Sequence, residues 1–192
     1  MGKFATYIKW TDIFKWTDIL IEDNTETSTW DACLLFIGAH MTLRWSDLSL
    51  LQWKTVLSQR FVIKECKTKK KKKIFVPDKS LAVMEKLFLM TRTMKGATKN
   101  DPIFVSREGT IVHLNYPNRR LHKLEKRFQP GHEMTTHSLR KSGPRMLFDA
   151  NPTMETLVRI QIMLNHRDIG TTLLYLGIRD TEIEDMYKSF NP

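Results

Sequence analysis

One stretch, His137 to Tyr175, constrains this chain more than any other. It reads as three short helices in succession: one after Pro130-Gly131, one over Thr156 to Asn165, and one around Tyr175. In a helix, positions i and i+3 share a face, so His137 and Arg140 point the same way. His166 and Tyr175 stand at the far end of the stretch. For these four groups to serve one purpose, the fold has to gather the helices that carry them.

The rest of the chain reads as helices interrupted once by strands. Two near-copies, Lys9-Trp10-Thr11-Asp12-Ile13 and Lys15-Trp16-Thr17-Asp18-Ile19, suggest a local duplication in a short amphipathic helix that packs on the domain, since a six-residue shift fits no repeat architecture. The acidic, threonine-rich Glu22 to Ser28 reads as a linker ending in good N-cap residues. From Trp30 the apolar positions Leu34, Leu35 and Ile37 recur at helical spacing and lead into Leu43-Arg44-Trp45-Ser46-Asp47. Arg60 to Lys64 and Ile74 to Pro77 read as two strands of a β-hairpin, with its tip at Lys67 to Lys73. Helices are expected over Leu81 to Met94, over the basic Leu114 to Phe128, and over Thr181 to Phe190, with Ile103 to Val105 a short strand. The expectation is therefore a mainly α chain with a small antiparallel β-sheet (α+β). An N-terminal extension, residues 1–28, precedes one domain over 29–192.

Composition narrows the function classes. At 41% hydrophobic the chain can bury a real core, and 31 Lys+Arg against 21 Asp+Glu give a net charge of +10. Such an excess favours a polyanionic partner through phosphate contacts and counterion release. The longest apolar run, Cys33 to Ala39, is too short to span a bilayer. The six-residue match of Met1 to Thr6 to a myristoylation pattern is read as chance. Cys33 and Cys66 are too few for a disulfide framework and lack metal-ligand spacing, so they read as reduced intracellular thiols. The chain has no GxxxxGK, GxGxxG or HExxH. No cofactor and no metal site are expected.

The residue types left over suit phosphodiester chemistry. Arg44 and Arg140, brought together from separate segments, would offer two permanently charged planar forks to phosphate oxygens. His137 and His166 can donate hydrogen bonds or move protons near neutral pH. A tyrosine such as Tyr175, with an ordinary pKa of about 10, is a poor nucleophile unaided, but beside two arginines it can form a covalent phosphoryl intermediate. A lysine on the hairpin could protonate a departing sugar oxygen.

These residues also recur in a known order. Leu35-Phe36-Ile37-Gly38 through Thr42-Leu43-Arg44-Trp45-Ser46-Asp47-Leu48, Lys67-Thr68 on the hairpin, Thr136-His137-Ser138-Leu139-Arg140-Lys141, Leu164-Asn165-His166 and Thr171 to Ile178 resemble the boxes of the tyrosine recombinase (phage integrase) family. The closing box is most similar to those of mobile-element integrases from phages, plasmids and conjugative transposons. Two glycines usual in that family are replaced, one by Thr42 and one by Asn165.

The resemblance implies the tyrosine recombinase catalytic-domain fold and a metal-independent site-specific recombinase. Its roles fall on Arg44, Lys67, His137, Arg140, His166 and Tyr175 as catalytic residues, with Asp47 in support. Lys-Thr selects Lys67 as the hairpin lysine, whereas hairpin length counted back from Pro77 selects Lys69. Lys69, Lys70, Lys71, Arg119, Arg120, Lys123 and Lys141 are expected to contact DNA. The implied partner is double-stranded DNA inside a host cell, with a homo-tetramer forming during recombination and a monomer compatible with the DNA-free state. The implied chemistry is DNA integration, excision or resolution through a 3′-phosphotyrosyl intermediate. No N-terminal core-binding domain is expected within this chain. Two other readings use the same residues: a tyrosine-dependent topoisomerase, and a DNA-binding module without catalysis.

Overall fold

A single helix buried on nearly every side organises the fold. It is α2 (Glu26–Met41), in which every residue from Asp31 to Ala39 is buried. A helix apolar all round belongs at the centre of a domain. Its start is fixed by a capping box: Thr25 Oγ1 accepts from the Ser28 amide at 3.0 Å, and Ser28 Oγ accepts from the Thr25 amide at 3.0 Å. The computed structural model describes residues 6–178. The helix expected over Thr181 to Phe190 and most of the Met1 to Thr6 match lie outside the described residues.

Around α2 pack α1 (Trp10–Glu22), α5 (Asp78–Lys95), α6 (Asn115–Phe128) and α7 (Thr136–Ala150). Short helices α3 (Trp45–Leu48) and α4 (Trp53–Val56) lead into the antiparallel pair β1 (Arg60–Lys64) and β2 (Lys71–Phe75). The chain closes with α8 (Met154–Leu164) and α9 (Ile169–Leu176). Leu157, Ile160, Leu164 and Leu176 form a small second core joining these last two helices, with Phe148 of α7 packed against it.

The α2–α7 packing is unusually close because glycine permits it. A Cβ on Gly38 would meet Leu139 at 3.0 Å, and one on Gly143 would meet the Ala39 carbonyl and the Thr42 methyl at 3.0 Å. This proximity brings the end of α2, where Thr42 and Arg44 follow, against the face of α7 that carries Arg140.

Three features differ from the sequence expectation. First, α1 packs on the domain as expected but is part of its main core rather than an extension to it: Ile13, Trp16, Leu20 and Ile21 belong to that core, and Trp16 stacks on Phe128. The boundary expected after residue 28 falls inside α2, and the expected linker shrinks to a short turn before the Thr25 cap. Second, the hairpin tip is shorter than expected, because β2 begins at Lys71 and only Glu65 to Lys70 turn. Third, Arg120 is not free for DNA. Its Nε donates to Asp31 Oδ1 at 2.8 Å and its Nη2 bonds the other carboxylate oxygen, deep between α6 and α2.

The Asp31–Arg120 pair yields a stability prediction. Removing one partner of a buried ion pair strands the other charge, at a cost of about 3–5 kcal/mol, whereas replacing both with apolar residues of similar volume is far milder. Arg120→Ala should therefore lower unfolding stability in chemical denaturation by that amount. Arg120→Met with Asp31→Leu should recover most of it.

Candidate active site

Thr42 ends α2 in the left-handed conformation (φ 50°), which turns the chain sharply. Leu43 and Trp45 are then buried on either side of Arg44, and the Trp45 indole donates to the Val112 carbonyl at 3.2 Å. With its neighbours anchored, Arg44 projects from the start of α3. Asp47, on α3, is buried and accepts the Cys66 amide at 2.6 Å, which pins the hairpin turn. Its other oxygen, Oδ2, has no hydrogen-bond partner among the described residues.

Arg140 lies buried on α7, 3% exposed. Its Nε donates to the Tyr175 hydroxyl at 3.1 Å, which joins α7 to α9. Arg140 Nη1 is buried with no partner among the described residues. Tyr175 is further bracketed by the Lys141 ammonium, 5.4 Å from the ring centre, and by the edge-on His166 ring at 5.1 Å. His166 follows Asn165, which ends α8 in the left-handed conformation (φ 58°). Its Nδ1 lies 3.1 Å from Thr172 Oγ1, and that hydroxyl lies 3.4 Å from the Asp168 carbonyl, to which it can donate. With the hydroxyl so engaged, we assign the imidazole proton to Nδ1, which leaves Nε2 as an acceptor. His137, one helical turn before Arg140, stands on the exposed side of α7.

The hairpin adds a lysine that the sequence reading passed over. Side chains alternate across a strand, so Lys72, Ile74 and Val76 share the inward face, and Lys72 is buried at 3% exposure. Its ammonium donates to the Thr42 carbonyl at 3.0 Å and to the Thr42 hydroxyl at 2.7 Å. Lys67 and Lys69 are both exposed on the turn. A run of lysines hides the alternation; counting back in twos from Val76 would have exposed it.

Glu65 completes the cluster. It is fully buried, pairs with Arg44 Nη1 at 3.2 Å, and accepts from Thr68 Oγ1 at 2.6 Å and from Asn165 Nδ2 at 3.3 Å.

This concentration of cations sets the protonation states. Burial pushes Lys72 down to about 7, with the positive Arg140 and Arg44 pushing the same way and Glu65 and Asp47 opposing. Burial, then Arg140 and Arg44, hold His166 below the usual histidine value, and His137 is lowered by burial and by Arg140, Lys141 and Arg44. Burial pushes Tyr175 up to about 12 despite the pull of Arg140 and Arg44. Burial opposes ionisation of Glu65, yet Thr68, Arg44, Asn165 and Arg140 outweigh it and hold that carboxyl below its ordinary value.

The structure thus gathers Arg44, Arg140, His166 and Tyr175 with Lys72 and Glu65, and leaves His137 on the rim. Among the residues expected on a DNA surface, Lys69, Lys70, Lys71, Arg119 and Lys123 are exposed. Arg120 is committed to Asp31, and Lys141 is buried against the Tyr175 ring. Among the described residues no group of three or more His, Cys, Asp or Glu could hold a metal ion. No helix there is long and apolar enough to cross a membrane.

Known proteins share this arrangement of elements. A model of the phage integrase family matches residues 10–182. The chain is 28% identical over 166 residues to the probable integrase/recombinase YoeC of Bacillus subtilis (strain 168), covering 83% of this chain and 84% of that protein. It is 24% identical over 98 residues to tyrosine recombinase XerC of Natranaerobius thermophilus, covering 51% of this chain and only 32% of that relative. In three dimensions it resembles the XerA recombinase (TM-score 0.73, 18% identity, all of this chain and 67% of that one). It also resembles the XerH site-specific recombinase bound to difH substrate in a pre-cleavage complex (TM-score 0.68, 18% identity, 99% of this chain and 56% of that one). The fold is that of tyrosine recombinase catalytic domains.

The His166–Thr172 contact can be tested directly. At neutral pH the imidazole should be uncharged with its proton on Nδ1, visible in the nitrogen shifts of a long-range proton–nitrogen correlation spectrum. Thr172→Val should move the proton toward Nε2. Identical shifts in the two proteins would contradict the assigned contact.

Proposed function

This chain belongs to the phage integrase family, and from that premise we propose that it is a site-specific recombinase acting on double-stranded DNA through a covalent 3′-phosphotyrosyl intermediate on Tyr175. One observation carries the reading. The Tyr175 hydroxyl accepts from Arg140 Nε, while Nη1 of the same guanidinium is buried with no partner among the described residues. An unpaired buried donor is costly, and a phosphate oxygen next to the tyrosine would satisfy it.

In this mechanism Arg44 and Arg140 grip the non-bridging oxygens of the scissile phosphate and stabilise charge growing on the pentacoordinate phosphorus. Tyr175 Oη attacks phosphorus, and its proton passes to the neutral imidazole of His166, whose Nε2 is the free acceptor. The bond to the 5′-oxygen breaks, leaving a 3′-phosphotyrosyl link and a 5′-hydroxyl. His137 contacts a phosphate oxygen from the rim. Asp47 holds the hairpin turn in place through Cys66. Rejoining reverses these steps when the 5′-hydroxyl of a partner strand attacks the link, and exchange between two duplexes calls for a tetramer.

The hairpin lysine that donates the proton to the leaving 5′-oxygen is Lys72 in this reading, rather than Lys67 or Lys69. Burial near the arginines and an ammonium poised at about 7 suit a general acid at neutral pH. Exposed Lys69, Lys70, Lys71, Arg119 and Lys123 then neutralise flanking phosphates, so each lysine-to-alanine change should lower the salt slope of binding by about 1.

Adduct formation on a nicked suicide oligonucleotide, resolved on a denaturing gel, tests the reaction. Wild-type protein should form the adduct and Tyr175→Phe should form none; an adduct surviving in the variant would refute the nucleophile. The donor is tested separately with Lys72→Met, which should slow cleavage by about 100-fold or more. A 5′-bridging sulfur substrate needs no proton on its leaving group and should restore most of that loss. Lys67→Ala should stay within a few-fold of wild type. At subsaturating DNA, where the rate follows the protonation of the DNA-free protein, the wild-type rate should fall above a pH of about 7 as Lys72 loses its proton. It should also fall well below 6.5 as the histidines gain theirs, and the sulfur substrate should abolish only the alkaline fall.

A further inference from the structure

Glu65 has no part in the reaction just described, yet it lies at the centre of the groups that perform it. Its carboxylate is fully buried, paired with Arg44 at 3.2 Å, and acts electrostatically on Arg140, His166 and Lys72. It is a two-oxygen anion surrounded by the donors that a phosphate would need. We propose that Glu65 is a resident stand-in for the scissile phosphate, holding Arg44 and the hairpin over the empty site and leaving when DNA enters. This inference rests on the recombinase reading for the identity of the incoming group.

Two of the left-handed residues support it. Thr42 and Asn165 both stand at positive φ, where glycine fits without strain, and both are the positions at which the sequence departs from the glycine usual in the resembling family. Each side chain thereby gained reaches the hairpin: Thr42 Oγ1 takes the Lys72 ammonium, and Asn165 Nδ2 donates to Glu65. Thr68, on the turn itself, donates at 2.6 Å to the same oxygen, Oε2, while Arg44 holds Oε1. The hairpin is thus clasped to the site from both flanking helix ends. A carboxylate and a phosphate cannot share one set of donors, since two anions at contact distance repel strongly in a site screened from water. Phosphate entry therefore requires Glu65 to swing away with the turn, and Arg44 to change partners.

The test is anion affinity, which needs no strand cleavage. Inorganic phosphate is titrated into the full chain at low ionic strength by calorimetry, for wild type and for Glu65→Gln. The glutamine keeps the shape and removes the competing charge, so it should bind phosphate about tenfold more tightly, whereas loss of a merely structural residue would weaken binding. As a second probe, Asn165→Gly with Thr68→Val removes two of the holds on Glu65 at partly exposed positions and should shift affinity the same way. Circular dichroism establishes that each variant is folded. Equal or weaker phosphate binding in a folded Glu65→Gln protein would overturn the proposal. Absence of a DNA adduct in the gel assay would count against the recombinase reading alone, because the phosphate titration is read independently of it.

Discussion

A guanidinium buried to 3% exposure is expensive, and the arrangement of Arg140 explains much of what surrounds it. It is reached from α7, capped by the Tyr175 hydroxyl from α9, and faced by the anion Glu65. Glycines 38 and 143 let α7 lie so close to α2 that Arg44 can share the same anion. Without that approach the two arginines would stand apart.

The same crowding sets the chemistry. In a site dominated by fixed positive charge, every group that can lose a proton is urged to do so, while burial works against any charged form. Lys72 and the histidines feel both pressures in one direction and are pulled toward neutrality; Tyr175 feels them in opposition, and burial wins. A phosphate arriving between the arginines would reverse part of this balance, favouring a charged Lys72. The DNA-free site therefore holds its acid near its point of decision and its nucleophile protonated.

Much of this was legible from sequence because helices announce themselves by period. The helices expected after Pro130-Gly131, over Thr156 to Asn165 and around Tyr175 correspond to α7, α8 and α9, and the i, i+3 relation of His137 and Arg140 follows from helix geometry alone. What escaped detection did so for physical reasons. Five consecutive lysines carry no hydrophobic alternation, so the start of β2 and the inward turn of Lys72 were invisible without counting back from Val76. Arg120 reads like its neighbours Arg119 and Lys123, since only the packing of α6 on α2 brings it to Asp31. The tandem at the N-terminus looked like an attached helix because its apolar face is short, yet Ile13, Trp16 and Leu20 finish the main core. Glu65 gave no signal at all, being one acidic residue in a basic turn.

The account depends most on one spatial claim, that the phosphate occupies the point now held by Glu65, between Arg44, Arg140 and Lys72. A crystal structure of the Tyr175→Phe protein on uncleaved duplex DNA measures it directly. The account predicts a phosphate bridging Arg44 and Arg140, Lys72 Nζ within hydrogen-bond distance of the 5′-bridging oxygen, and Glu65 displaced. A phosphate seated elsewhere, with Glu65 still on Arg44 and Lys72 still on Thr42, would contradict it.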